Sequence, residues 1–469
     1  MKSLRNARAG LVPVRVMKGM SGAVAALTIA AAPLSSASAT PAAAAPLSAA
    51  AVTAARPSSA PASVAPLNIY DFYRTRAGAP LWLSSTAGDS AQQLIGLLKS
   101  ADLDGLNPDR YGVAALETAV ADSHSADPKA VQRADVMLSQ AFVAYVDDLR
   151  QDPGVGVTYV DAPLRPAPPS AMTLLSEAAS AASLADYVRS MGWMHPIYGQ
   201  LRAALAAHRY ADDHERGMLQ VNLERARVLP ATKQKYVLVN AAQQRLYMYD
   251  RGQPVDSMVV VVGKPKWPTP MLTAYIRFAA LNPYWYVPPD LAGEDVGQFV
   301  VKQGLGYLDK MGYEVVSDWN DNPTIIDPKT IDWKGVVAGK VNVLIRQKPG
   351  PQNFMGRMKF MFPNQFGVYL HDNPRRDLFL QSVRYYSGGC VRLEDASRLG
   401  RWLFGRDLDW QSAGVEQPVM LAQPVPVYIT YMTAMPDNGA IAYYKDVYGR
   451  DGPQLATQSA NGAAAAVGH

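Results

Sequence analysis

The hydrophobic period of this 469-residue chain changes once, near residue 235, and that change limits the fold more than any other feature. Before it, apolar side chains recur at steps of three and four. Across 129–150, Val131, Ala134, Met137, Ala141, Phe142, Tyr145 and Leu149 form one stripe, the pattern of a helix with a single buried face. Ser90 is placed to cap a helix carrying Leu94, Ile95, Leu97 and Leu98. Further helices are expected over 174–189, 196–207 and 213–227, with breaks at Gly105-Leu106-Asn107-Pro108 and in the proline-rich stretch 163–169. Beyond residue 235 the runs shorten and fill with β-branched and aromatic residues, at 236–240, 245–249 and 256–262. Ala241-Ala242-Gln243 and Arg251-Gly252-Gln253-Pro254 separate them, so a meander of antiparallel strands is expected. More strands are expected at about 273–287, 357–362, 366–371 and 424–433, and a helix over 394–404. The stretch 288–355 breaks this rhythm with helix-like and irregular pieces and reads as an insertion. The fold class is therefore α+β, a mainly helical half at 67–228 followed by a β-rich half.

The two ends have a different composition. Residues 1–39 hold five basic side chains (Lys2, Arg5, Arg8, Arg15, Lys18) and no acid, then a small-residue apolar stretch from Gly19 to Leu34, then Ala37-Ser38-Ala39. That order is the pattern of a cleavable secretory signal, with an uncleaved anchor or a tail as the alternative. The apolar run is short for a membrane span, and no later segment has about 18 apolar residues in a row, so no span is expected in the mature form. Residues 40–66 are almost wholly Ala, Pro, Ser, Thr and Val and read as a disordered linker. Residues 453–469 read as a frayed tail for the same reason. The formal net charge of +5 comes from 45 Lys+Arg against 40 Asp+Glu. Setting the signal aside balances the charges, which leaves no case for a nucleic-acid partner.

The chain has one cysteine, Cys390. An exported protein rarely keeps an unpaired thiol, because an oxidising compartment favours pairing. Such a thiol is a small buried hydrophobe, an intermolecular link or a nucleophile. The surroundings favour the last. His371 ends an expected strand, and 19 residues on, Ser387-Gly388-Gly389 lead directly into Cys390. A histidine within reach can take the thiol proton. The two glycines permit a tight turn whose amides can face an anionic oxygen. Arg392 adds a planar cation suited to a substrate carboxylate, or to holding a thiolate. Spacing alone reaches acyl transfer or hydrolysis through a thioester and no further. The other histidines, at 124, 195, 208 and 214, are scattered and read as surface or capping residues. No Cys/His cluster has metal spacing, and no cofactor is implied.

His371 followed by Ser387-Gly388-Gly389-Cys390-Val391-Arg392 resembles the signature of the L,D-transpeptidases, the YkuD-type catalytic domain. A wider set resembles the large YcbB-type branch. It comprises Asn222-Leu223-Glu224-Arg225, Pro268-Thr269-Pro270, Asn282-Pro283-Tyr284-Trp285, Arg346 to Pro351, Lys359 to Asn364, and Tyr369 to Asp372. The resemblance implies a β-sandwich-like catalytic domain at 229–436 with a capping subdomain inserted at about 288–355. A C-terminal extension and tail then occupy 437–469. It implies that Cys390 attacks a peptidoglycan stem peptide and that a second stem resolves the thioester, giving a 3→3 cross-link. His371 would be the base. Tyr369 and the amides around Gly389 and Cys390 would flank the oxyanion, Ser387 and Gly388 would shape the turn, and Arg392 would position the substrate. Carbapenem acylation of Cys390 and a periplasmic location are implied as well.

Three departures stand out. Many members carry histidine where this chain has Gly388. The 24 residues from Tyr198 to Asn222 are too few for the branch's separate glycan-binding module. Tyr286 and Pro288–Gly293 differ from the expected cap entrance. Cross-linking of the 1→3 type, and hydrolysis by the same fold, therefore stay open. Trp285 reads as core at the junction with the cap.

Overall fold

The computed structural model describes residues 69–455, except 126, 232 and 321; the expected signal at 1–39 and linker at 40–66 lie outside the described residues. The first half is helical, with helices at Ile69–Thr75, Ser90–Lys99, Val113–Asp122, Pro128–Leu149, Ala171–Ser180, Leu184–Arg189, Pro196–Ala206 and Asp213–Ala226. Their starts follow side-chain chemistry. Asp127, Ser170, Ser183 and Asp212 each accept an amide proton from the first turn. Two details differ from the sequence reading. The single helix expected over 174–189 is two, because Ala181 is extended and Ser183 caps a fresh start. Ser90 lies inside its helix, after Asp89, and its hydroxyl donates to the Trp82 carbonyl.

Two buried carboxylates organise this half. Asp135 accepts the amides of Leu81, Trp82 and Leu83 at 2.7–2.9 Å and the Tyr73 hydroxyl at 2.6 Å. Asp104 accepts from Tyr145, Tyr198 and Arg202 at 2.7–2.9 Å. A buried carboxylate is tolerated only when its lone pairs are filled this way.

The second half is a sheet of β2 (Tyr236–Asn240), β3 (Arg245–Asp250), β4 (Gln253–Gly263) and β5 (Leu272–Leu281), with β9 (Met358–Met361), β10 (Leu370–His371), β12 (Val391–Leu393) and β13 (Gln417–Thr430), to which the helical half adds the short strand β1 (Thr158–Tyr159). The order is β1-β5-β13-β2-β3-β4-β12-β10-β9, and β9 also pairs with β5, so the sheet closes on itself. Closure turns two halves of one sheet toward each other across a shared core, the sandwich-like arrangement. That core holds Val237, Val239, Leu246, Val260, Ile276, Phe360, Leu370, Val391 and Ile429. β11 (Tyr385–Ser387) adds to β4.

Between β5 and β9 the chain leaves the barrel and forms β6 (Trp285–Val287), β7 (Tyr313–Val316) and β8 (Leu344–Gln347), in the order β6-β8-β7. This excursion has its own apolar cluster, including Val287, Leu291, Val296, Val300, Trp333 and Ile345. Trp285, expected as core, is partly buried and packs against that cluster beside Phe354 and Tyr313.

The chain end is ordered further than its composition suggested. After a hairpin (Ala434–Asp437 with Ala440–Tyr443), residues 451–455 are helical, and 456–469 lie outside the described residues. The fully buried Arg225 holds this end in place through Asp451 at 2.6 Å and the carbonyls of Tyr431 and Arg450. Removing one member of such a pair leaves an uncompensated buried charge, at a cost of about 3–5 kcal/mol.

Candidate active site

Strand alternation builds the site. Leu370 pairs with Val391 and with Phe360, and all three point into the barrel core. Their neighbours must therefore point outward. His371 pairs with Arg392 on one side and Lys359 on the other, so imidazole, guanidinium and ammonium share the outer face. One step earlier, Tyr369 and Cys390 flank the same edge, tied by the Val391 amide donating to the Tyr369 carbonyl at 3.0 Å. The structure thus brings Cys390, His371, Tyr369 and Arg392 onto one face and adds Lys359, which the sequence reading had not singled out.

His371 is buried, and its Nδ1 lies 2.6 Å from the Asp372 carbonyl. A carbonyl only accepts, so Nδ1 carries the proton and Nε2 keeps a free lone pair. Asp372 is itself fixed, its carboxylate accepting from Arg376 and from the Arg357 amide. Burial, with Arg392 and then Lys359 acting in the same direction, pushes the imidazole pKa down to about 3. The Cys390 thiol is half-buried, and burial pushes its pKa up. A backbone hydrogen bond from Tyr369, then Arg392 and Lys359, draw it partly back. Both groups therefore rest neutral, and the site is a base beside a thiol rather than a preformed ion pair. The thiol points at the Gly367 carbonyl, 3.7 Å away, and no direct hydrogen bond to His371 is formed. Catalytic hydrogen bonds often tighten only in the substrate complex.

The turn before the cysteine is built differently from expectation. The Gly389 amide donates to Ser387 Oγ at 3.1 Å, and Ser387 Oγ donates to the Cys390 carbonyl at 2.5 Å. The Gly389 carbonyl accepts from Thr269 Oγ1 at 2.8 Å. Both backbone groups of Gly389 are occupied, so its amide is not an oxyanion donor; its φ of +114° makes the turn possible. The amides of Gly388 and Cys390 make no hydrogen bond among the described residues, and they stay available to an anionic oxygen. Gly388 has a separate reason to be small. A Cβ there would lie 3.0 Å from Leu291 Cδ1, which belongs to the insertion.

Thr269 is the residue the sequence reading missed. It is fully buried, accepts from the Gly263 amide at 2.9 Å and donates to Gly389. Tyr448 and Arg450 of the C-terminal extension bond Gly263 and Thr269 in turn. The Pro268-Thr269-Pro270 motif marked the place, but only the fold shows that it supports the cysteine turn.

Arg392 has no ion-pair partner among the described residues, and its Nε is buried with no hydrogen bond. Burial lowers its pKa, while Cys390 and Asp295 favour its charge. A guanidinium held this way is open to a carboxylate from outside. Opposite it, Lys359 pairs with Glu416 at 3.0 Å, and the Tyr286 hydroxyl donates to the same carboxylate at 2.7 Å. Lys359 also lies over the Tyr369 and Tyr286 rings. Among the described residues no group of His, Cys, Asp and Glu is placed to hold a metal ion, and no helix is long and apolar enough to cross a membrane.

Parts of the chain are similar to known proteins. Residues 234–419 match the model of the L,D-transpeptidase catalytic domain, YkuD. The chain carries an L,D-transpeptidase catalytic domain. Residues 67–205 match a second family model, the scaffold domain. A putative L,D-transpeptidase of Haemophilus influenzae is 27% identical over 278 residues, which is 57% of this chain and 55% of that protein. The match therefore spans about half the length of that relative. Among solved structures, an L,D-transpeptidase from Mycobacterium smegmatis is 14% identical with a TM-score of 0.20, over 42% of this chain and 58% of its own. The Ldtfm–avibactam carbamoyl enzyme has the same identity and score over 43% and 51%.

Proposed function

We propose that this protein is an exported, periplasmic peptidoglycan L,D-transpeptidase that forms 3→3 cross-links through a thioester on Cys390. The observation that carries the reading is the shared outer face of β9, β10 and β12, where thiol, neutral imidazole and unpaired guanidinium meet. A carboxylate of the donor stem binds Arg392. His371 Nε2 takes the thiol proton as sulfur attacks the carbonyl carbon of the stem's L,D-peptide bond. The oxyanion takes the free amides of the cysteine turn. The C–N bond breaks, the leaving D-alanine amine receives the proton from His371, and a thioester remains. The side-chain amine of a second stem then attacks, His371 removes its proton, and the C–S bond breaks to restore the thiol. Tyr369 and Lys359 flank the same face. Acylation of the same sulfur by a carbapenem follows from the same chemistry.

Intact-mass measurement with a purified disaccharide-tetrapeptide tests this. An acyl adduct that disappears in Cys390→Ala, with dimeric product, is the expected outcome. Fragmentation of the dimer separates 3→3 from 1→3 linkage, and shortened stems without dimer mark a hydrolase. Absence of both adduct and product from the tetrapeptide would overturn the donor assignment.

A further inference from the structure

Two cations flank the base, and they are held differently. Arg392 and Lys359 pair with His371 from opposite sides, on β12 and β9. No ion pair reaches Arg392 among the described residues, whereas Lys359 Nζ lies 3.0 Å from Glu416 Oε1. The ammonium also lies 5.9 Å from the centre of the Tyr369 ring, beside Cys390, and 5.6 Å from that of Tyr286. Tyr286 belongs to the insertion, and its hydroxyl donates to the second oxygen of Glu416 at 2.7 Å. Both charges are felt at the reacting edge. Burial is the main influence on the Tyr369 hydroxyl and on the thiol. Beyond it, Cys390 and Glu416 push the hydroxyl pKa up, and Lys359 is among the groups that draw the thiol down. Among the described residues no other carboxylate is in ion-pair reach of Lys359. Glu314 holds Arg346 and Lys348 instead, and Asp295 acts on Arg392. The backbone singles out Glu416 too. Its φ is +50°, where glycine or asparagine is the usual occupant, and its amide donates to the carbonyl of Asn282, itself at +48°. A glutamate kept in a conformation that costs about 1–3 kcal/mol points to a use for its side chain.

The second step of the reaction gives this pair a use. The acceptor amine arrives from water as an ammonium. It sheds one proton to solvent and attacks the thioester carbon as a neutral amine. The C–N bond forms, His371 Nε2 passes a second proton from nitrogen to sulfur, and the C–S bond breaks. Water can attack the same carbon, and it carries no charge. A bare ammonium on Lys359 would repel the amine and leave water unaffected; a paired one does not. We propose that Glu416 is a positioning residue for the choice of acceptor: by holding and neutralising Lys359, it lets a cationic amine, rather than water, resolve the thioester. The first step needs no such compensation, because the donor brings a carboxylate to Arg392. The inference rests on the transpeptidase reading and adds to it a residue that separates transfer from hydrolysis.

The test is the fate of the acyl-enzyme in Glu416→Gln, which keeps the side chain's shape and removes its charge. Full-length protein is acylated with the purified disaccharide-tetrapeptide, and adduct, dimer and hydrolysed stem are followed by mass. The ratio of dimer to hydrolysed stem should fall about tenfold, the factor by which two like charges about 7 Å apart in a half-exposed site disfavour each other. Adduct formation should not slow, since the uncompensated ammonium favours thiolate and donor carboxylate alike. Hydroxylamine, an uncharged nucleophile near neutral pH, should capture the thioester equally well in parent and variant. Removing both charges, in Lys359→Gln with Glu416→Gln, should return the ratio to within a few-fold of the parent. A merely structural role would slow adduct formation and lower capture by every nucleophile together, and that result would overturn the proposal. So would an unchanged ratio in Glu416→Gln, or a double variant no better than the single. Should the double variant not fold, the contrast between hydroxylamine and the stem amine on Glu416→Gln decides alone. Absence of adduct on the parent would overturn the transpeptidase reading and this proposal with it, whereas adduct with an unchanged ratio would overturn this proposal only.

Discussion

The helical half and the barrel each bury one histidine, and the two side chains look alike by burial and charge. His195 and His371 are both 1% exposed, and burial pushes each pKa down to about 3. Their protons sit on opposite nitrogens. At the start of the helix Pro196–Ala206, His195 Nδ1 accepts the Ile197 amide, so Nε2 carries the proton and donates to the Tyr236 hydroxyl at 2.7 Å. His371 donates from Nδ1 and keeps Nε2 free. Tyr236 and Tyr249 surround the first; the second shares a strand face with Arg392, Lys359 and the thiol. A depressed pKa here measures burial, not catalysis. Tautomer and company distinguish a base from a cap.

Substituting each histidine in turn separates these roles. His371→Ala should lower the rate of Cys390 acylation by about 10²–10⁴-fold, the usual worth of a positioned base, beyond a stability cost of the kind that truncating any buried side chain brings. His195→Ala should leave the rate at its parent value and cost about 1–3 kcal/mol, by losing a helix cap and stranding a buried hydroxyl. Acylation kinetics and denaturant melts on the same two variants read both quantities. If His195→Ala slowed acylation well below its melting point, the division between the halves would be broken.

Next in size is the contact between insertion and turn. Gly388→His should push on Leu291 and displace the insertion, with a loss of about ten- to a hundredfold in acylation if the insertion orders the site. Pairing it with Leu291→Ala should return most of that loss. A double variant no better than the single would show that position 388 acts through the turn alone. Thr269→Val should do less. It removes the hydroxyl that bridges Gly263 and Gly389, strands two buried backbone groups, and should cost about 1–3 kcal/mol of stability and roughly tenfold in rate. A melting curve beside single-turnover kinetics checks both.

What the sequence made legible follows the range of the interactions concerned. The β-strand at 236–240, the long helix and the change of period rest on local pattern, and the structure has them within a few residues. The cysteine, its histidine and the glycine turn were legible as candidates because they lie within one short stretch of chain, 371–390, whose strands the fold sets side by side. Closure of the sheet was not, since β5 meets β9 across the whole insertion and no local pattern specifies that pairing. Thr269, Tyr448 and Glu416 were missed for the same reason. Each acts through a partner far along the chain, with Thr269 bonding a carbonyl 120 residues away. The Gly389 amide misled because a turn shows that amides are free to point somewhere, not which hydroxyl has already taken one. His195, read as a surface or capping residue, caps its helix but is not at the surface; its burial comes from Tyr236 and Tyr249, which helical periodicity does not see.

The smallest expected effect is the most direct measure of what the two histidines share. Each has a folded-state pKa near 3 against an ordinary 6.5, so between those values the unfolded chain holds the proton and the folded chain does not. Stability therefore rises with pH across that window, is fully present above about 6.5, and is lost as pH falls toward 3, with a slope of up to about 1.4 kcal/mol per pH unit for each histidine. His195→Gln and His371→Gln should each flatten the acid limb of a stability–pH curve by one such contribution, by similar amounts, although only the second stops acylation. Urea melts from pH 5 to 7 read the difference. Equal flattening with unequal activity is the outcome the comparison requires. If His371→Gln left the slope unchanged, the imidazole would already be protonated in the folded enzyme. The neutral base beside a neutral thiol would then give way to a site that starts from an ion pair.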